Sequence, residues 1–198
     1  MEKLQLSLFD IFTHILPGSF FVLSFIIIND DFEHLLDYIF NIAENLNFFN
    51  ASIIIVVSYI FGFVNIHVSN RVFRFINFYF LGRKKKKKII FSQYHNEIIL
   101  IRHFSPKNFQ ALNKWFTMRA MSYALFFALL FFDISLFIKT IFNNTWSTQR
   151  IFILVLTLVI SLLFLRRSIS FHDLAYNTIK FSSKNLAKFQ EKKEHNEF

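Results

Sequence analysis

Residues 120–138 read AMSYALFFALLFFDISLFI, nineteen positions with one formal charge, at Asp133. A helix needs roughly 20 apolar residues to cross the ~30 Å hydrocarbon core of a bilayer. Three other runs share this character: ILPGSFFVLSFIII at 15–28, ASIIIVVSYIFGFVNIHV at 51–68 and IFILVLTLVISLLFL at 151–165. The first and fourth are short, but amphipathic flanks extend each of them. One soluble core built from 198 residues could not hide so much continuous apolar surface. The sequence therefore predicts an all-α membrane protein with four transmembrane helices.

Charge between the runs sets the orientation. Residues 71–119 hold twelve Lys and Arg against one acid, Glu97, and the segment after Leu165 adds seven basic residues with four acids. Residues 29–50 hold five acids (Asp30, Asp31, Glu33, Asp37, Glu44) and no Lys or Arg, and the third connection has only Lys139 and Arg150. Basic residues near span ends stay in the cytoplasm. The expectation is a multi-pass inner-membrane protein with both termini cytoplasmic, and an even number of spans agrees with it. Four segments follow. Residues 1–70 contain an N-terminal interfacial helix, the first two spans and the acidic outward connection. Residues 71–119 form a basic cytoplasmic loop, 120–165 the third and fourth spans, and 166–198 a cytoplasmic helical tail.

Composition narrows the function. Hydrophobic residues make up 54% of the chain and mean hydropathy is +0.41, above the usual soluble range. The 31 phenylalanines accord with AT-rich coding more readily than with a special aromatic role. The absence of cysteine removes disulfides, thiolate metal sites and thiol nucleophiles. Three glycines and two prolines leave no material for phosphate loops or selectivity filters. No small-residue cleavage site follows the first run, so it is expected to remain as an uncleaved anchor.

In the outward connection, Phe32, Leu35, Leu36, Ile39, Phe40, Ala43 and Leu46 recur at helical spacing, with acids on the other face. This predicts an outer-face amphipathic helix, lying on lipid or packed against the spans. On the other side, apolar character continues from Val72 to Leu81 until Gly82, and six cations follow at once: Arg83, Lys84, Lys85, Lys86, Lys87 and Lys88. Beside a membrane these attract anionic lipid headgroups at ~1 kcal/mol each. The alternative is docking of an acidic protein or a nucleic acid. Residues 89–104 are ambiguous between strand and helix, a hairpin being one solution. Ser105-Pro106 then starts a helix running through Trp115 and Arg119 into the third span. Trp115, Arg119, Arg166 and Arg167 suit the inner headgroup boundary as anchors. In the tail, Leu174, Phe181, Leu186 and Phe189 make a weak stripe, too irregular for a coiled coil.

Polar residues inside the spans are the candidate site. A carboxylate at Asp133 costs ~2.5–3.5 kcal/mol on insertion scales, so it should face the bundle interior. It is either a proton- or ion-sensitive group or a structural carboxyl reaching Ser58, Tyr59 or Thr157. Ser58, Gly62, Asn65 and Ser69 fall on one stripe of the second span. Small residues there admit a second helix and Asn65 supplies a cross-helix hydrogen bond. A pore lining is the alternative. Pro17 should kink the chain where a short N-terminal helix enters the first span. His14, just before it, titrates near neutrality if exposed.

No catalytic constellation is present. His172-Asp173 lacks the further His and Asp residues that phosphohydrolases need, and there is no H-E-x-x-H, G-x-S-x-G or Walker loop. No cofactor, no metal and no enzymatic activity are expected. The Leu-Pro-Gly at 16–18, the basic central loop and the charged helical tail resemble small four-span membrane proteins of bacterial phage-defence islands, such as the membrane subunits of Kiwa systems. The resemblance implies a homo-oligomeric sensor of inner-membrane disturbance that holds a cytoplasmic, DNA-binding partner, and it transfers no site residues. The alternative is a pore-forming effector that depolarises the cell.

Overall fold

The computed structural model describes residues 11–29, 35–76 and 94–196. A π-helical turn, Ile11–Ile15, leads into α1 (Leu16–Asn29). It is followed by α2 (Leu35–Glu44), α3 (Phe48–Ile76), α4 (His95–Phe104), α5 (Pro106–Phe142) and α6 (Thr148–Asn196). Helices α3, α5 and α6 are long and apolar enough to cross a membrane, whereas the first apolar stretch, Thr13–Asn29, is shorter. No strand occurs among the described residues. The ambiguous segment is helical from His95 because Tyr94, Ile98 and Ile101, spaced by four and three, turn together onto one apolar core. Its beginning, with Lys88 to Phe91, lies outside the described residues, as do Arg83 to Lys87 and the acids Asp30, Asp31 and Glu33.

Local chemistry fixes the helix ends. Asn47 caps α3, its Oδ1 accepting from Asn50 N–H at 2.8 Å, and Ser147 Oγ accepts from Arg150 N–H at 3.2 Å at the start of α6. Helix α5 is closed off by Asn144, two residues past its end, whose φ of 49° is left-handed. Thr145 N–H then reaches Thr140 O and Asn144 N–H reaches Ile141 O, both at 3.2 Å, closing a Schellman turn. At the other end of α5, Pro106 occupies the first helical position as expected, and Phe109 N–H bonds Ser105 O at 3.0 Å.

The chain divides into two units. The first comprises Met1–Phe73 and Ala120–Arg166. Helix α5 is its centre, since 50% of its apolar window is buried against 17% for α3 and 11% for α6. Ile27, Phe132 and Leu136 pack with Phe20, Leu23, Ile153 and Leu154. Aromatic pairs extend this contact, Phe21 stacking on Phe131 at 4.7 Å and Phe20 meeting Phe132 edge-on at 6.0 Å. Burial on α3 and α6 is inside-out. Within this unit α3 buries Ser58, Gly62, Asn65, Ser69 and Phe73 and exposes Val56, Ile60, Phe63 and Val64. Helix α6 buries Arg150 and Ser161 and exposes Phe152, Val155, Val159 and Leu163. Water would expel such a surface; hydrocarbon is indifferent to it, and association then rests on small and polar contacts. These helices are compatible with membrane insertion.

The second unit comprises Arg74–Arg119 and Arg167–Phe198. Its core is Ile101, Leu112, Ala175 and Ile179, packed by Tyr94, Ile98, Phe109, Trp115 and Phe116. The weak tail stripe faces outward at Leu174 and Phe181, Phe181 being 68% exposed, while the side chains of Leu186 and Phe189 lie outside the described residues. The packed face instead carries Ser168, Phe171, His172, Ala175, Ile179 and Ser182. Small residues at Ser168, Ala175 and Ser182, seven apart, let the partner helix come close, so large side chains are directed away.

Candidate functional site

Pro17 has no N–H to give the turn before it, and the chain answers with the π-helical turn at Ile11–Ile15. That turn and the start of α1 lie directly on α3. A Cβ added to Gly18 would stand 1.7 Å from Ser58 O, and one added to Gly62 would stand 1.9 Å from His14 O. Two glycines thus face each other's backbones, an arrangement only residues without a Cβ permit. His14 is buried, its ring 5.1 Å from Tyr59 and stacked on Phe63 at 6.0 Å. The exposed interfacial histidine that the sequence allowed is not found, because the π-turn rotates position 14 onto α3.

The α3 stripe continues inward as packing. Asn65 Nδ2 donates to Ala124 O at 3.0 Å, tying α3 to α5. Ser69 Oγ donates back to Asn65 O at 2.6 Å. Thr13 Oγ1, Ser58 Oγ and Asn65 Oδ1 are buried without a hydrogen-bond partner. Replacing Asn65 with Leu is expected to cost about 0.6–1.7 kcal/mol, the range of interhelical hydrogen bonds in membranes. Thermal melts of the purified protein in detergent should show this as a lower midpoint, with Asn65→Gln intermediate.

Asp133 lies on the opposite seam, between α5 and α6. Of the three partners considered from sequence, the structure selects Thr157, whose Oγ1 pairs with Asp133 Oδ1. Asp133 Oδ2 is buried and unpartnered, and so is Ser161 Oγ one turn along α6. Among the described residues no group of three His, Asp or Glu side chains could hold a metal ion.

The second unit gathers cations on aromatic rings. Trp115 stacks on Phe171 at 5.9 Å, Arg167 sits over Phe171 at 4.9 Å and Lys114 over Trp115 at 5.8 Å. Arg119 lies 5.4 Å from the Phe116 ring, and its Nη1 is 3.3 Å from His172 Nδ1. A guanidinium only donates, so Nδ1 of His172 is the acceptor in this contact. Hydrogen bonding with Tyr176, then burial, raises the Tyr94 phenol above its ordinary value. Of the expected anchors, Trp115 and Arg119 are half-buried in this packing, whereas Arg166 and Arg167 are exposed.

Sequence reading found Ser58, Gly62, Asn65, Ser69 and Asp133 as inward-facing groups. It gave no packing role to Gly18, His14 or Thr13, and it passed over Ser161, Ser168 and Ser182. The available signal was small residues recurring at seven along α6. No family model matches this chain, and no curated protein or solved structure does either.

Proposed function

We propose that this chain is a non-enzymatic, homo-oligomeric inner-membrane protein that senses disturbance of the bilayer and holds a cytoplasmic partner, as a sensor or scaffold in anti-phage defence. In this reading it crosses the membrane four times, with both termini and the basic loop inside. The partner is a soluble protein, and a nucleic-acid-binding one suits the basic loop.

The observation that carries the reading is the shortness of the first apolar helix. Thr13–Asn29 is 17 residues, about 25 Å of helix at 1.5 Å per residue, against a ~30 Å hydrocarbon core. Mismatch costs fractions of a kcal/mol per ångström. A local thinning of several ångströms therefore shifts an equilibrium by a few kcal/mol, the scale needed to switch a two-state protein. The glycine crossing that holds this helix against α3 gives such a shift a direct mechanical path within the first unit. The charge pattern supports the orientation, because the α3 span separates acidic residues 29–50 from basic residues 71–119.

Purified protein in vesicles tests the reading. The membranes are expected to stay tight to ions, and an environment-sensitive fluorophore at exposed Ile60 on α3, beside the Gly18–Gly62 crossing, is expected to respond when vesicle thickness is reduced. Ion leakage would make the protein a pore-forming effector instead. In intact cells, a cysteine placed at Asp37 is expected to react with an impermeant reagent and one at Lys86 is not; reaction at both overturns the topology.

A further inference from the structure

Thr157 has one hydroxyl proton and three acceptors near it. Its Oγ1 lies 2.7 Å from Ile153 O and 3.4 Å from Leu154 O, and its proton serves either a back-bond within the helix or the Asp133 carboxyl. The same Oγ1 is in hydrogen-bond contact with Asp133 Oδ1. An ionised carboxylate only accepts. While the Thr157 proton serves a helix carbonyl, an ionised Asp133 would set lone pair against lone pair. A neutral carboxylic acid removes the conflict by donating its own O–H to Thr157 Oγ1.

The surroundings favour the same state. Asp133 is 6% exposed, and its Oδ2 has no partner. A bare carboxylate oxygen in an apolar interior is far more costly than a bare carbonyl oxygen. Helix α1, packed on this part of α5 through Phe20, Phe21 and Phe25, carries no titratable side chain. On α3 the titratable groups within the first unit are Tyr59, His67 and Arg71. On α5 itself the nearest charge is Lys139, whose Nζ donates to Ile28 O at 3.2 Å. On α6 it is Arg150, two helical turns (about 10 Å) from Thr157, with Nη1 donating to Thr145 Oγ1. Among the described residues Thr157 is the one side chain hydrogen-bonded to Asp133.

We propose that Asp133 is an intramembrane proton-binding site, held as the neutral acid that donates to Thr157, and that it releases its proton when water enters the α5–α6 seam. In that step the Oδ1–H bond breaks, the electron pair stays on the carboxylate, and the proton passes to the entering water and on to bulk solvent. Ser161 Oγ offers that water a polar contact one turn away. The resulting carboxylate then accepts from the entering water and from the Thr157 hydroxyl, so the hydrogen bonding of the seam is exchanged. The site itself needs only a dry seam; its use as the step that registers membrane disturbance rests on the function proposed above.

Infrared spectra of the full-length protein in oleoyl-chain phosphatidylcholine vesicles should show, at neutral pH, a carboxylic-acid carbonyl band that Asp133→Asn abolishes. Thr157→Val should shift that band to higher frequency by removing its acceptor, and Thr157→Ser should keep it in place. In thinner, myristoleoyl-chain vesicles the band should give way to carboxylate bands. Folded protein with no acid band at neutral pH overturns the proton site, and so does a band that Thr157→Val leaves unshifted. A band unchanged in thin vesicles overturns the release. If both spectral results hold while no partner is retained, the proton site stands and the sensor reading falls.

Discussion

Gly62→Leu is expected to leave no monodisperse folded protein after detergent extraction, and Gly62→Ala to lower the melting midpoint sharply. Real Cβ atoms keep at least about 3 Å from such neighbours, yet a Cβ at Gly62 meets His14 O at 1.9 Å and His14 C at 2.5 Å. The obstacle is backbone, so no rotamer change relieves it, and the helices must part by more than an ångström. Overpacking a core by a methylene or two costs ~1–3 kcal/mol. Here the cost sits at the top of that range for alanine and beyond it for leucine. Parting the helices also loosens the His14 ring from Tyr59 and Phe63, so the losses compound. Ile60→Leu is the control, since that side chain is 57% exposed and contacts lipid in this reading. Size-exclusion profiles and circular-dichroism melts decide it. Wild-type behaviour of Gly62→Leu would mean that the two backbones do not meet.

Leu112→Ala is expected to unfold the second unit selectively. Leu112 is fully buried among Ile101, Ala175 and Ile179. Truncating a buried leucine costs ~2–5 kcal/mol, against whole-domain stabilities of ~5–15 kcal/mol. In a core this small the loss is decisive. Hydrogen–deuterium exchange should speed up across His95–Phe104 and in α6 around Ala175, while amides near Phe132 and Asn65 keep their protection. Phe104→Ser, at a 64% exposed position, should leave exchange unchanged. Equal deprotection near Phe132 would show that the two units do not unfold separately.

Helix content was legible because runs of this length and polarity have one solution in hydrocarbon, where every backbone group must be satisfied within its own segment. The start of α5 was legible for a local reason, since proline tolerates the first helical turn and serine suits the position before it. Inward-facing Asn65 and Asp133 could be read from the cost of placing them against lipid. The first run was less legible: its apolar length suggests a span, while the π-turn ahead of Pro17 shortens the regular helix to Leu16–Asn29. The packed face of the tail was not legible because three of its positions, Ser168, Ala175 and Ser182, are small, while the large apolar Leu174 and Phe181 point away. Gly18 went unrecognised as a contact because its significance depends on α3, forty residues later in the chain. The Asp133–Thr157 pairing needed the register between two antiparallel helices, which the Schellman turn at Asn144 sets and composition does not reveal.

The inside-out burial of α3 and α6 also bears on how such a chain drifts over generations. Outward positions ask only for oiliness, so leucine, isoleucine, valine and phenylalanine can trade places there at almost no penalty. The handful of positions where backbones touch tolerate nearly nothing. Descendants of one ancestor would then lose overall identity quickly while keeping a sparse signature. Kinship among them should be sought in the spacing of Gly18 with Ser58 and Gly62, and of Asp133 with Thr157.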